Sequence, residues 1–310
     1  MNVARWFVTL KSVRNNYDVN KSRIIPFIVL NVVLLLGACS SDVTADFYVP
    51  LTPPEAGYAT YQLPLDDYIA GDVYVDITDY AENLYLENCM QEIGHNYSFP
   101  RIDISTFTKA ATSSPSGRKI LTTQIAEQFG YHLDNTYNND LRAANQALFS
   151  RDLTEQEEDD LSACIKKLRT EVTKGTSASV HLAASLANQA LTDATKHKDV
   201  KNAAKKWQEC MKDAGIPDLP DDPELGMPSE SISSKYLADI NDTAKPEEIK
   251  IAVKDATCRD NSGYAEALYN AEWEEQRKTL AKNADRLAGN KDILAKEINT
   301  AKELIAKYGN

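Results

Sequence analysis

Along most of the chain apolar residues recur at helical spacing, and almost nowhere in the period-two alternation of a half-buried strand. After Asp72, the positions Ile77, Ala81, Leu84, Tyr85 and Cys89 share an arc of roughly 140° at helical pitch, wide enough to face a core. This helix is expected to stop near Gly94. A short helix is expected over 119–129, closed by Gly130. Thr154 and Glu157 have the spacing of a capping box ahead of a stripe of Leu161, Cys164, Leu168 and Val172. The acidic run 155–160 sits where a helix N-terminus favours negative charge, and it lacks the glycine and alternating ligands of a calcium loop.

Helical pattern resumes over 179–195 and 200–214, and the four prolines of residues 216–228 then interrupt it. From Pro246 the chain is strongly helical again. Leu280, Ala284, Leu287, Lys291, Leu294, Ile298, Ala301, Ile305 and Tyr308 alternate spacings of four and three, a heptad stripe for a long helix or for a hairpin turning at Gly289-Asn290. Packing within the chain is the plainer reading. A coiled coil with a second chain is the alternative, and Lys291 in a seam position counts against it. Residues 101–118 are rich in Ser, Thr and small side chains and read as an exposed loop. Residues 48–51 and 73–75 offer at most one short strand each. The expected fold class is all-α, a helical bundle with a long C-terminal helix or helical hairpin.

The N-terminus changes the picture from fold to location. Five basic residues, Arg5, Lys11, Arg14, Lys21 and Arg23, precede the apolar run 24–38, which is too short for the roughly 20 residues of a spanning helix. A basic region, a short apolar region and small residues at its end are the parts of a secretory signal. Here they lead into Leu36-Gly37-Ala38-Cys39, which looks like the bacterial lipobox, where the cysteine takes diacylglycerol and becomes the mature N-terminus. An ordinary secreted chain and an uncleaved anchor are the competing readings. Two or three acyl chains on Cys39 would hold the protein stably on a bilayer without any segment entering it. The chain then divides into a signal peptide (1–38), a flexible tether rich in proline (39–63) and a helical extracytoplasmic domain (64–310), with a subdivision expected near 216–230.

Charge bounds the partners. The whole chain carries −12, and because residues 1–38 carry five basic side chains against Asp18, the remainder is at −16. So acidic a surface repels nucleic acid and anionic headgroups alike. With 310 residues and 43% hydrophobic side chains, a sizeable core is within reach.

Export implies an oxidising setting, and four cysteines remain after Cys39: Cys89, Cys164, Cys210 and Cys258. Their separations of 75, 46 and 48 positions are far from the close spacing of a metal site, so two disulfides are expected. Three connectivities are open and the sequence does not choose among them. Our preference is Cys210 with Cys258 and Cys89 with Cys164.

The histidines His95, His132, His181 and His197 stand apart from one another and from the cysteines at helical ligand spacing. Each reads as a packed or surface residue, with His132 the best placed for a defined role in a loop. No nucleophile elbow, phosphate loop or zinc signature is present, and no cofactor or metal is expected. Aromatic residues concentrate in 47–85: Phe47, Tyr48, Tyr58, Tyr61, Tyr68, Tyr74, Tyr80 and Tyr85. They either line a groove or pack on the helical body, and packing is preferred.

Two helix ends echo each other, Cys89-Met90 with Gly94 and Cys210-Met211 with Gly215. Together with Pro64-Leu65-Asp66-Asp67-Tyr68, the run 87–97, the segment Phe129-Gly130-Tyr131-His132, the isolated Cys164 helix, Trp207-Gln208-Glu209-Cys210-Met211 and the Cys258 segment leading into a long charged helix, they resemble, in order, uncharacterised secreted lipoproteins of high-GC Gram-positive bacteria. The resemblance implies export, lipidation and cysteine pairing, and no known activity. At His95-Asn96-Tyr97 the chain departs from the acidic or aromatic residue usual there. The expectation is a non-enzymatic binding or accessory component of a cell-envelope complex, held at the membrane through Cys39 beside a protein partner. A substrate-binding lipoprotein of a transporter and an envelope hydrolase are the alternatives.

Overall fold

The computed structural model describes residues 50–54, 61–134, 136–172, 177–238 and 243–309. Residues 1–38, expected to be a signal peptide, and Cys39 lie outside the described residues, as do Phe47, Tyr48 and Tyr58. Among the described residues all regular structure is helical, apart from a single β-bridge between Ser113 and Lys119. The protein is all-α, and Val73–Val75 lie in a helix.

In chain order the helices are α1 (Asp72–Glu92), α2 (Thr123–Phe129), α3 (Asn139–Phe149), α4 (Glu155–Lys167), α5 (Ser177–Ala194), α6 (Lys198–Met211), α7 (Pro223–Gly226), α8 (Glu230–Tyr236), α9 (Pro246–Asn261), α10 (Tyr264–Lys282), α11 (Ala284–Leu287) and α12 (Asn290–Tyr308). Local chemistry sets several ends. Thr154 and Glu157 form the reciprocal capping box that opens α4, the Thr154 amide reaching Glu157 Oε2 at 2.9 Å. Gly130 closes α2 at φ 57°. It also brings its backbone so close to Glu248 that a Cβ there would stand 2.5 Å from Oε1, so no other residue fits.

One packing group pairs α1 with α12, where Ile77 and Ala81 meet Ile298, Ala301 and Ile305. The Tyr85 and Tyr308 rings meet edge to face at 5.9 Å. The other group surrounds α10, which contacts α5, α6 and α9, while α2 packs on α9. The heptad stripe is therefore used within the chain, but not as one seam. Leu280 and Leu287 turn towards Leu65, Tyr68, Ala183 and Ala187, and only the part beyond Gly289 faces α1. Lys291 leaves the seam, its amine 3.1 Å from Asp67.

Four expectations need correction. The exposed loop expected over 101–118 ends at Lys109: residues 101–109 are exposed or half-buried, but from Ala110 to Ile120 every even-numbered position is buried and every odd-numbered one is not. The segment is an extended hairpin turning at Gly117, threaded among helices with Thr112, Ser114, Ser116 and Arg118 inward. The tether does not run to residue 63, because Tyr61 and Leu63 are buried against Ile120, Tyr269 and Trp273. No subdivision falls near 216–230. The described residues from Pro50 onward form one compact unit, and the proline-rich stretch packs Ile216, Leu219 and Met227 onto Trp207, Met211 and Cys258. Finally, α3 has no counterpart in the sequence reading. Its Leu141 and Leu148 face Tyr80 and Leu84, while much of its remaining surface is polar, which leaves too narrow a stripe to stand out.

Candidate functional site

Half of the buried carboxylates and guanidinium groups among the described residues, Arg118, Asp255, Arg259 and Glu272, lie in one polar seam between α5, α6, α9 and α10. Its first centre is Arg118, delivered by the hairpin. The guanidinium donates to Glu272 Oε1 at 2.7 Å, Asn188 Oδ1 at 3.0 Å, the Ala187 carbonyl at 2.8 Å and the Ser116 carbonyl at 3.1 Å. Arg118 and Glu272 are 4% and 0% exposed, so the pair is fully inside. Glu272 also accepts from Gln276 and from the Tyr61 hydroxyl, and Gln276 accepts from the Leu65 amide. Burial pushes the Glu272 carboxyl up, and the Arg118 guanidinium holds it partly back.

The second centre is Asp255 on α9, which is completely buried. One oxygen accepts from Trp207 Nε1 at 2.8 Å and Arg259 Nε at 2.9 Å; the other accepts from the Tyr131 hydroxyl at 3.1 Å. Arg259 reaches on to Glu224 and the Pro223 carbonyl, and Tyr264 donates to Asp222 at 2.7 Å. Desolvation raises the Glu224 carboxyl, opposed by the guanidinium groups of Arg259 and Arg118, which places that carboxylate in the field of both centres. The tyrosine hydroxyls of Tyr131 and Tyr264 are pushed well up by burial and by the neighbouring carboxylates.

Lys119 lies beside this seam, its amine donating to the Tyr131 carbonyl and standing 5.1 Å from the centre of that ring. Burial, with Arg259 adding to it, lowers its amine to about 8. An exposed lysine titrates near about 10.4. Because the folded value lies below the unfolded one, the fold disfavours the charged amine. That penalty is fully present below pH 8 and disappears as pH rises from 8 towards the unfolded value. The parent is therefore expected to gain stability over this window relative to a Lys119→Met variant. The check is the urea midpoint of both proteins against pH, and parallel profiles would contradict the assignment.

The residues singled out in the sequence are dispersed around this seam. Cys89 is bonded to Cys164 and Cys210 to Cys258, with Cα separations of 6.0 and 5.7 Å. The echoed motif takes the same form twice: Met90 and Met211 are completely buried, and Gly94 and Gly215 both adopt positive φ. Three histidines each face a carboxylate on another element: His95 with Asp160 at 2.8 Å, His197 with Glu275 at 3.0 Å and His132 with Glu248 at 3.3 Å. The last contact is within ion-pair reach but off the line of a hydrogen bond. His181 is exposed. These histidines stand on different parts of the body. Of the clustered aromatics, Tyr61, Tyr68, Tyr80 and Tyr85 are buried in the helical body and Tyr74 donates to Glu297.

The seam residues Arg118, Asp255, Glu272 and Gln276 were missed in the sequence. Their chemistry is that of a latch: each charged atom faces a partner on another element. Two shallow surface depressions lie away from the seam, one of about 370 Å³ beside His197, Gly263 and Asn270, the other of about 210 Å³ beside Glu87, Arg101 and Lys307. No known protein family, curated sequence or solved structure matches the chain.

Proposed function

We propose that the protein is an extracytoplasmic lipoprotein, anchored by acyl chains on Cys39, whose helical body serves a cell-envelope complex as a non-enzymatic binding or accessory component. The observation that carries this reading is the lipobox sequence at Cys39 ahead of a body whose other four cysteines are all joined in disulfides. Disulfides persist in oxidising compartments, which agrees with export. A latch made of satisfied charges also favours a rigid scaffold over a reaction centre. Neither the transporter-receptor reading nor the hydrolase reading gains a specific observation of its own.

The test is metabolic labelling with a palmitate analogue in a bacterial host. The parent is expected to be tagged and to fractionate with membranes, and a Cys39→Ala variant to lose the tag. A variant tagged as strongly as the parent would remove the reading.

A further inference from the structure

We propose that the outward face of α6 is a docking surface for anionic lipid headgroups, which seats the helical body on the bilayer. The inference rests on the anchored reading of Cys39 and adds an orientation to it.

The charge of the chain as a whole argues against an anionic surface, but α6 is a local exception. Residues 196–206 carry Lys196, Lys198, Lys201, Lys205 and Lys206 against the single acid Asp199. The helix is sharply two-sided. Val200, Ala203, Ala204, Trp207 and Met211 are buried against the body, while all five lysines are exposed. Lys198, Lys201 and Lys205, spaced three and four apart, fall on the side opposite Trp207. Lys196 is paired with Asp193 and Lys212 with Glu209. Among the described residues, Lys198, Lys201, Lys205 and Lys206 make no ion pair or hydrogen bond. Other exposed lysines such as Lys250 and Lys302 also lack a carboxylate, but they do not form a row on one face. Four unpaired cations on one face of an acidic protein keep their charge available to a partner of opposite sign.

That partner is best matched by the bilayer itself. Clusters of lysine on an amphipathic helix favour anionic headgroups, and their pull fades within a Debye length of about 8–10 Å. Such a face acts most strongly on a body already held close. Eleven positions of sequence separate Cys39 from Pro50, whose carbonyl accepts from Trp273 Nε1 on α10. The apolar face of α6 is spent on the core, so docking is electrostatic, without insertion.

The test uses the mature lipidated protein on vesicles of phosphatidylcholine alone and on vesicles with roughly a third phosphatidylglycerol. Acetylation by a membrane-impermeant reagent is read lysine by lysine. At low salt the anionic vesicles are expected to slow labelling of Lys198, Lys201, Lys205 and Lys206 about threefold or more, an effect that high salt abolishes. Lys250 and Lys302, exposed on α9 and α12, are expected to label alike on both. Equal labelling of the α6 lysines on the two vesicle types overturns the proposal. So does protection by soluble polyphosphate with none from the anionic vesicles, which would assign the face to a free polyanion. Flotation on the neutral vesicles reports the anchor separately. Protein that floats only on anionic vesicles, and only at low salt, supports headgroup docking while removing the anchored reading; protein that floats on neither removes both.

Discussion

An Arg118→Met variant is expected to lose about 3–5 kcal/mol of stability, the cost of leaving one member of a buried ion pair without the other. Methionine keeps most of the apolar stem but none of the donors. Glu272, with no exposed surface, would retain only Gln276 and Tyr61, and the Ala187 and Ser116 carbonyls and Asn188 would each lose a bond. Arg118→Lys is expected to recover little of this, because one ammonium cannot span acceptors that the planar guanidinium meets in several directions. Arg118→Met combined with Glu272→Gln should be milder than Arg118→Met alone, since a neutral amide needs no counter-charge. Urea unfolding of the three variants measures these differences. A loss below about 1 kcal/mol for Arg118→Met would place the pair among those of little consequence.

The second large effect concerns the crosslinks. Replacing Cys89 and Cys164 together by alanine, or Cys210 and Cys258 together, releases chain segments of 75 and 48 residues, which on the chain-entropy account is about 4 kcal/mol in either case. The pairs join different helices, α1 to α4 and α6 to α9, so their losses should add. Losing both would then approach the whole stability of an ordinary domain, about 5–15 kcal/mol. The full chain is thus expected to unfold on reduction at a denaturant concentration where the oxidised form remains native. Circular dichroism with and without reductant reads this directly, and an unchanged midpoint in the reduced protein would contradict it.

The helices legible in the sequence with the sharpest bounds were those with a wide apolar stripe or a cap, α1, α4, α6 and α12; α2 and α5 were also expected, and the helical run from Pro246 resolves into α9 to α12. The seam was hidden for two physical reasons. The hairpin at 110–120 alternates in and out, but its inward residues include Thr112, Ser114, Ser116 and Arg118, so a hydrophobicity pattern registers nothing. The carboxylate it meets, Glu272, sits on a helix whose other charged positions are exposed or half-buried, and Asp255 sits on α9 among exposed charges as well as the buried Glu248 and Arg259. Nothing in the spacing of Glu272 distinguishes a buried acid from a solvated one, because Arg118 is more than a hundred positions away; Asp255 has Arg259 four positions on, a spacing equally common on a solvated face, and its other partners Tyr131 and Trp207 lie on other elements. His132 stood out beside Gly130-Tyr131, and that turn does abut Glu248. The contact explains the glycine better than it explains the histidine. The tyrosine cluster was legible as packing, and the bonds it makes, such as Tyr80 to the Ile102 amide, depend on folds of the chain that no local pattern encodes.

Each sulfur in the body is joined to its immediate neighbour in the order of cysteines, the first with the second and the third with the fourth. For a chain threaded outward from its N-terminus, Cys164 can meet Cys89 while Cys210 is still on the near side of the membrane. Under the proposed export, the bonds can close in the sequence in which the thiols emerge, and the proposed acylation would withdraw Cys39 from pairing. An oxidant that simply removes electron pairs suffices for such a molecule, and no enzyme that breaks and reshuffles wrong bonds is called for.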